Sequence, residues 1–189
     1  MIYLIKVWLN DSRPQIWREI ELDQNTSLSD LHKILQTVMG WTNSHLHQFR
    51  KGNTYYTDTD FEEYTREDVV DYKDFHISDL LKKKNDKMMY EYDFGDGWEH
   101  YIELLEVGAG EEGILYPRCV AGDKSCPAED SGGILGYQEM LKILKNKGHA
   151  DYDSIREWIG ENFDPDYFNI TEVNESLQEE NFGCFEILD

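Results

Sequence analysis

The stretch YEYDFGDGWEHYIEL at residues 90–104 decides the fold, because apolar alternation surrounds a turn signal there. Alternate positions on both sides of the turn form one face, which consists of Tyr90, Tyr92, Phe94, Trp98, His100, Ile102 and Leu104. The chain reverses at Gly95-Asp96-Gly97, where Asp-Gly accepts the positive φ values of a tight turn. The pattern predicts a β-hairpin at the centre of a sheet.

The opposite face of this hairpin is acidic, because it carries Glu91, Asp93, Glu99 and Glu103. Carboxylates at this density either point into water or hold a positive group. The first alternative describes a solvated sheet surface, and the second describes a binding site. The sequence leaves both open.

Upstream of the hairpin, hydrophobic periodicity predicts two strands, a helix and two more strands. The ranges are 2–9 and 16–22 for the first strand pair, 28–39 for the helix, and 45–50 and 54–57 for the second pair. Ser27 and Gly40 are residue types that cap a helix at its start and end. The sheet is therefore predicted to begin ββαβ.

Two stretches have no period, namely 58–74, an acidic surface loop, and 119–137, a loop rich in Gly and Pro. Helices at 137–147 and 154–163 are predicted to cover the sheet, and 179–189 forms a tail. All 189 residues are therefore predicted to form a single α+β domain with a mixed or antiparallel sheet.

Charge limits the class of partner. The chain has 39 acidic and 18 basic side chains, which gives a formal net charge of −21, and the excess lies entirely beyond residue 50. Binding to the phosphate backbone needs clustered Lys and Arg. Binding to double-stranded DNA is therefore not expected, whereas a protein partner is compatible with this surface.

The N-terminal run MIYLIKVWLN contains Lys6 and lacks the features of a signal peptide. No apolar run approaches membrane-spanning length. The chain has 3 cysteines, an odd number, which argues against a disulfide framework. We therefore expect a cytoplasmic protein without a membrane segment.

Several uncommon motifs occur in a fixed order along nearly the whole chain. They are IWR at 16–18, LH at 31–32, GW at 40–41, HLHQF at 45–49, YEYDFGDGWEH at 90–100, YPRC at 116–119, CPAED at 126–130, GG at 132–133, GY at 136–137 and FDP at 163–165. With these motifs the chain resembles the plasmid pRiA4b ORF-3-like family. Two positions depart from the family pattern, because Ala128 stands where Pro is usual and Ser131 where Cys is frequent.

The resemblance implies an intracellular accessory protein associated with mobile elements. Some members carry a resolvase label, but the sequence has no serine- or tyrosine-recombinase catalytic constellation and no basic arm. Recombinase activity is therefore not expected. Ser131 also argues against a metal site that depends on a third thiol.

A divalent metal site, for Zn²⁺ or a similar cation, is one hypothesis for the polar residues. Its nitrogen and sulfur ligands are His45, His47, His100, Cys119 and Cys126. Its oxygen ligands are Asp93, Asp96, Glu129 and Asp130. The alternative is that the thiols are buried small hydrophobes and the histidines are hydrogen-bonded structural groups.

Carboxylate chemistry is a second hypothesis, in which Asp93, Asp96, Glu99 or the Glu129-Asp130 pair acts as acid or base beside His100. The alternative is that Asp93 and Asp96 fix the turn through hydrogen bonds to the backbone. A third hypothesis is a binding surface without chemistry. Its anchors are Trp41, Trp98, Tyr92 and Arg18, unless these residues simply form the core.

The 119–137 loop is predicted to fold against the hairpin and the His45 strand, because its backbone groups need hydrogen-bond partners. The candidate pocket then consists of Asp93, Asp96, Trp98, His100, Glu129 and Asp130. The favoured function is a protein-interaction module, and the alternative is a metal-dependent enzyme that resembles a hydrolase.

Overall fold

A computed structural model describes residues 1–59 and 68–185 of the chain. Eight strands form one sheet: β1 (Ile2–Leu9), β2 (Trp17–Asp23), β3 (His47–Lys51), β4 (Thr54–Thr57), β5 (Val69–Asp71), β6 (Lys87–Tyr92), β7 (Trp98–Gly108) and β8 (Arg118–Asp123). Their order is β5-β4-β3-β6-β7-β1-β2-β8, and only β4 and β5 run parallel. The prediction of a single α+β domain with a mixed sheet is confirmed.

Five helices accompany the sheet: α1 (Leu28–Met39), α2 (Ile77–Leu80), α3 (Gly133–Leu144), α4 (Tyr152–Ile159) and α5 (Ile170–Ser176). A 3₁₀ turn follows at Glu180–Gly183. All five helices contribute side chains to the core on one face of the sheet. Within the described part of the chain, no helix has both the length and the apolar character needed to cross a membrane.

The core follows from the alternation along β7. Trp98, His100, Ile102 and Leu104 are buried, whereas the residues between them are partly exposed. Tyr90 and Tyr92 on β6 are buried beside them, with Tyr92 opposite Trp98 and Tyr90 opposite His100. The predicted central hairpin is therefore present.

The turn of this hairpin is longer than predicted. It spans residues 93–97, because Asp93 already has a left-handed φ of 57° and its carbonyl accepts a hydrogen bond from the Gly97 amide at 2.6 Å. This reversal turns Asp93 inward, so that it is buried instead of lying on the acidic face. Phe94, predicted on the core face, is 41% exposed.

Several boundaries also differ from the predictions. The 119–137 loop shortens to residues 124–132, because β8 pairs with β2 as far as Asp123 and α3 begins at Gly133. β3 begins at His47, so His45 precedes the strand. The helices predicted at 137–147 and 154–163 correspond to α3 and α4, and both end earlier than predicted.

The acidic surface loop and the tail were predicted without regular structure. β5 lies within 58–74, where it adds an edge strand beside β4, while residues 60–67 of that loop lie outside the described part. The start of the predicted tail packs on α1, where the Thr37 hydroxyl donates to the Phe182 carbonyl at 2.7 Å. Residues 186–189 of the tail also lie outside the described part.

Candidate functional site

The loop at residues 124–132 folds back onto the end of the central hairpin, and Glu129 is its anchor. The carboxylate accepts hydrogen bonds from the Thr42 amide at 2.8 Å, the Ser44 hydroxyl at 2.8 Å and the Tyr92 hydroxyl at 2.7 Å. The Thr42 hydroxyl donates one more. Burial acts to raise the pKa of Glu129, but these bonds outweigh it and the pKa lies below its ordinary value. Glu129 is therefore an ionised anchor at neutral pH.

A second attachment holds the end of the loop against the turn. Asp96 Oδ2 accepts a hydrogen bond from the Gly132 amide at 3.1 Å. At the next position, a Cβ added to Gly133 would lie 2.4 Å from the Asp96 carbonyl oxygen. The close approach of loop and turn therefore requires glycine at position 133.

Between these two attachments, three predicted ligands meet. His45 Nε2 lies 3.8 Å from Asp93 Oδ2 and 3.7 Å from Asp130 Oδ1. The Asp93 side chain is only 10% exposed, whereas that of Asp130 is 77% exposed. The cluster is therefore open to solvent on one side and closed on the other.

His100 does not join this cluster, because it lies in the core with its ring centroid 6.3 Å from that of Trp41. Neither ring nitrogen makes a hydrogen bond of good geometry with a described residue. Burial lowers the pKa of His100 to about 4, although the backbone at Tyr90 and Trp98 favours the charged form. His100 is therefore a neutral core residue.

His47 also points into the protein. It stacks on His32, and its Nε2 lies 2.8 Å from the Tyr72 hydroxyl. Burial, with a smaller effect of His32, lowers the pKa of His47 well below its ordinary value. His47 therefore has the structural role that the alternative interpretation gave to the histidines.

The two predicted cysteine ligands lie elsewhere. Cys119 is buried on β8, where the Asn174 side chain hydrogen-bonds both of its backbone groups. Cys126 lies beside Arg18 in a cleft of about 360 Å³. Burial raises the pKa of Cys119 to about 11 and that of Cys126 to about 12, so both are protonated thiols.

The structure thus divides the predicted site residues into two groups. It places Asp93, Asp96, Glu129 and Asp130 in the turn and in the loop attached to it, with Asp93 and Asp130 beside His45. It leaves Trp98, His100, His47, Cys119 and Cys126 in the interior or at other positions. Among the described residues, only His45, Asp93 and Asp130 bring three potential metal-ligand atoms within 4.8 Å of one another.

The anchors suggested for a binding surface are buried. Trp41, Trp98, Tyr92 and Arg18 are at most 3% exposed, so the core interpretation holds for them. A different row of side chains crosses the sheet face that the described helices leave uncovered. In order across six strands it consists of Trp17, Trp8, Tyr101, Met89, Arg50 and Tyr55.

This row is close-packed. The rings of Trp8 and Tyr101 stack with centroids 5.5 Å apart, and Lys6 lies 4.4 Å from the Trp17 ring centroid. Alternation along β1 does place Trp8 on the face opposite the core. The register between strands that lines up the row could not be read from the sequence.

Beside the aromatic row runs a row of alternating charge. Its members in order are Glu19, Lys6, Glu103 and Lys87. Lys6 lies 3.9 Å from Glu19, and Lys87 lies 3.2 Å from Glu103. This part of the sheet is electrically neutral, in contrast with the chain as a whole.

The fold and the site together define an α+β sheet protein with one sheet face that the described helices leave uncovered and a histidine–carboxylate cluster at the end of its central hairpin. Its sequence matches the profile of the plasmid pRiA4b ORF-3-like protein family over residues 1–172, and the chain belongs to that family.

Two relatives cover nearly the whole chain. The uncharacterized protein y4hQ of Sinorhizobium fredii is 33% identical over 179 residues, which are 93% of this chain and 90% of that protein. The crystal structure of a protein of unknown function from Methanosarcina mazei has 35% sequence identity and a TM-score of 0.81. It covers 90% of this chain and 96% of the other.

Proposed function

We propose that this chain is a protein-interaction module that assembles through the uncovered face of its sheet, and that the partner is a second copy of the same chain. The observation that carries the proposal is the continuous row from Trp17 to Tyr55. Aromatic side chains and Arg are the residue types that supply most binding energy in interfaces.

The adjacent charge row explains why a second copy fits. We consider two copies whose sheets pack face to face about a twofold axis that runs parallel to the strands and lies between β1 and β7. This axis reverses the strand order, so the charge row of one copy lies against the charge row of the second copy in reverse order. Lys6 then faces Glu103 of the second copy, and Glu19 faces Lys87. Every position meets an opposite charge, which is the self-complementarity that a twofold interface requires.

The same axis places the aromatic residues against each other. Trp8 faces Tyr101 of the second copy, and Trp17 faces Met89. Twisted sheets pack with their strands about 30° apart, so the residues nearest the axis carry the contact. These are Trp8, Tyr101, Lys6 and Glu103.

Net charge supports this face over other surfaces. Two chains with a formal charge of −21 each repel one another. Close approach costs least where each surface is locally neutral, and the four-residue charge row is neutral.

A charge exchange tests the proposal. Light scattering of the native protein is expected to give twice the chain mass. Lys6→Glu places Glu against Glu103 of the second copy, and Glu103→Lys places Lys against Lys6, so each variant alone is expected to be monomeric. An equimolar mixture is expected to recover dimers, because opposite charges face each other again.

The repulsion within each variant chain persists in the mixture, so recovery cannot come from improved folding. Trp8→Ala is expected to weaken the dimer, whereas Trp158→Ala, at a 50% exposed tryptophan on α4, is the matched control and is expected to leave it intact. A native protein that is monomeric at every concentration, or a mixture without dimers, would overturn the proposal.

We further propose that the module serves as a mobile-element accessory protein without recombinase activity. The support is the family membership together with the acidic surface. No shift of double-stranded DNA is expected in a gel at low salt. Tight binding that weakens steeply with salt would contradict this role.

A further inference from the structure

The histidine and the two carboxylates at the end of the hairpin have the spacing of metal ligands. The distances of 3.7 and 3.8 Å from His45 Nε2 to the two carboxylate oxygens are too long for hydrogen bonds. Two ligands that are each about 2.1 Å from a tetrahedral cation lie about 3.4 Å apart. Contraction by a few tenths of an ångström would therefore bring each carboxylate oxygen to that spacing from His45 Nε2, and all three atoms already lie within 4.8 Å of one another.

Asp93 provides an independent observation. It is 7% exposed, and its Oδ1 accepts a hydrogen bond from the Gly95 amide at 2.9 Å. Its Oδ2 accepts none from the described residues and points toward His45 and the opening of the cluster. A carboxylate whose side chain is nine-tenths withdrawn from solvent is stabilised by a positive group placed beside the oxygen that lacks a donor among the described residues.

The three ligands come from three segments that are fixed to one another. The Asp93 amide donates to the Leu46 carbonyl at 2.9 Å, which holds the turn next to His45. Glu129, immediately before Asp130, is bonded to Thr42 and Ser44, which precede His45. Such support around the ligands reduces the cost of ordering them when an ion binds.

The geometry points to a binding site for one divalent transition-metal cation, with His45 Nε2, Asp93 Oδ2 and Asp130 Oδ1 as ligands and water in the remaining positions. One imidazole and two carboxylates suit Zn²⁺ or Mn²⁺ better than Ca²⁺ or Mg²⁺, which take oxygen ligands. The site lies at the end of the hairpin and does not depend on the proposed dimer.

The test uses the full chain, treated with chelator and then titrated with ZnCl₂ or MnCl₂ in a calorimeter. Bound metal is counted by elemental analysis after dialysis. One ion per chain is expected. Asp130→Asn and His45→Ala are each expected to weaken binding by about tenfold or more. Asp130 is largely exposed, so its variant tests ligation without disturbing the core.

His149 offers a matched control, because its Nδ1 lies 3.8 Å from Asp151 Oδ2 at the surface and the described residues supply no third ligand there. His149→Ala is expected to leave binding unchanged. The proposal is overturned if no stoichiometric ion binds at millimolar metal, if Asp130→Asn binds as tightly as the native chain, or if the His149 variant loses affinity equally.

Discussion

His32 and His47 stack face to face, with ring centroids 3.4 Å apart and ring planes at 2° to each other. Tyr90 holds His32 through a 2.8 Å hydrogen bond at Nδ1, and Tyr72 holds His47 through one at Nε2. Burial lowers the pKa of His32 to about 4, and it lowers the pKa of His47 well below its ordinary value. Two neutral rings can stack at this distance, whereas two imidazolium rings would repel each other.

This pair and His100 predict a stability that depends on pH. Unfolded histidines have a pKa of about 6.5. Below that pH the unfolded chain binds protons that the folded chain does not, so the free energy of unfolding falls until the folded pKa is reached. Each histidine with a folded pKa of about 4 is expected to lower the free energy of unfolding by roughly 2 kcal/mol between pH 7 and pH 5. Urea unfolding at several pH values measures the slope, and a flat profile over this range would contradict it.

His100→Leu separates one contribution from the others. The substitution removes a titrating group that has no good hydrogen-bond partner among the described residues. It puts an apolar side chain of similar volume in its place. At pH 7 we expect the free energy of unfolding to change by less than about 1.5 kcal/mol. At pH 5 the free energy of unfolding of the variant is expected to rise by about 2 kcal/mol relative to that of the native chain. Parallel pH profiles for the two proteins would show that folding leaves the pKa of His100 unshifted, which would contradict the prediction.

The central hairpin illustrates what the sequence predicts well. Period-two alternation identified the buried face of β7, and apolar spacings of three and four identified the helix at residues 28–39, because both patterns extend over many residues. The start of the turn was predicted two residues too late, at Gly95 instead of Asp93, because Asp93 adopts a left-handed conformation that no short-range pattern required. β5 was missed because three residues are too few for alternation to be seen.

The site shows where such inference ends. Residue type drew attention to His45, Asp93 and Asp130, which the structure brings together. The same reasoning included His100, which alternation alone would have placed in the core. The separation of Cys126 from His45 depends on tertiary packing. The side chains of Thr42 and Ser44 that anchor Glu129 carry no signal in the sequence at all.

Arg18 is buried without a carboxylate partner among the described residues, and its guanidinium donates to four backbone carbonyls instead. The acceptors are Val38, Trp17, Asp123 and Lys124, at 2.7 to 2.9 Å. Phe168 stacks on it, with the guanidinium carbon 4.1 Å from the ring centroid. Arg18 therefore joins β2, β8 and the end of α1 in one contact.

Arg18→Lys is expected to destabilise the fold by about 3 kcal/mol, because an ammonium group cannot reach four carbonyls in a planar fork. Arg156 is the matched control. It donates to three carbonyls at 3.2 to 3.4 Å from a half-buried position, and Arg156→Lys is expected to cost less than about 1 kcal/mol. Chemical unfolding of both variants measures the two losses of stability. Equal losses would show that the four hydrogen bonds of the buried Arg18 guanidinium have no special role.

Gly133 and Gly97 have nearly the same backbone conformation, with φ of 66° and 67°, but different surroundings. An added Cβ would lie 2.4 Å from the Asp96 carbonyl oxygen at position 133, whereas nothing lies within 4 Å of it at position 97. Alanine at either position incurs the strain of a left-handed residue, about 1 kcal/mol. Only Gly133→Ala also forces the loop and the turn apart, which is expected to cost a further 1 to 3 kcal/mol, a rough range for overpacking. Thermal and urea unfolding of the two variants isolate this second cost, because the strain is common to both. If the two variants lose the same stability, the loop does not press on the turn at Asp96.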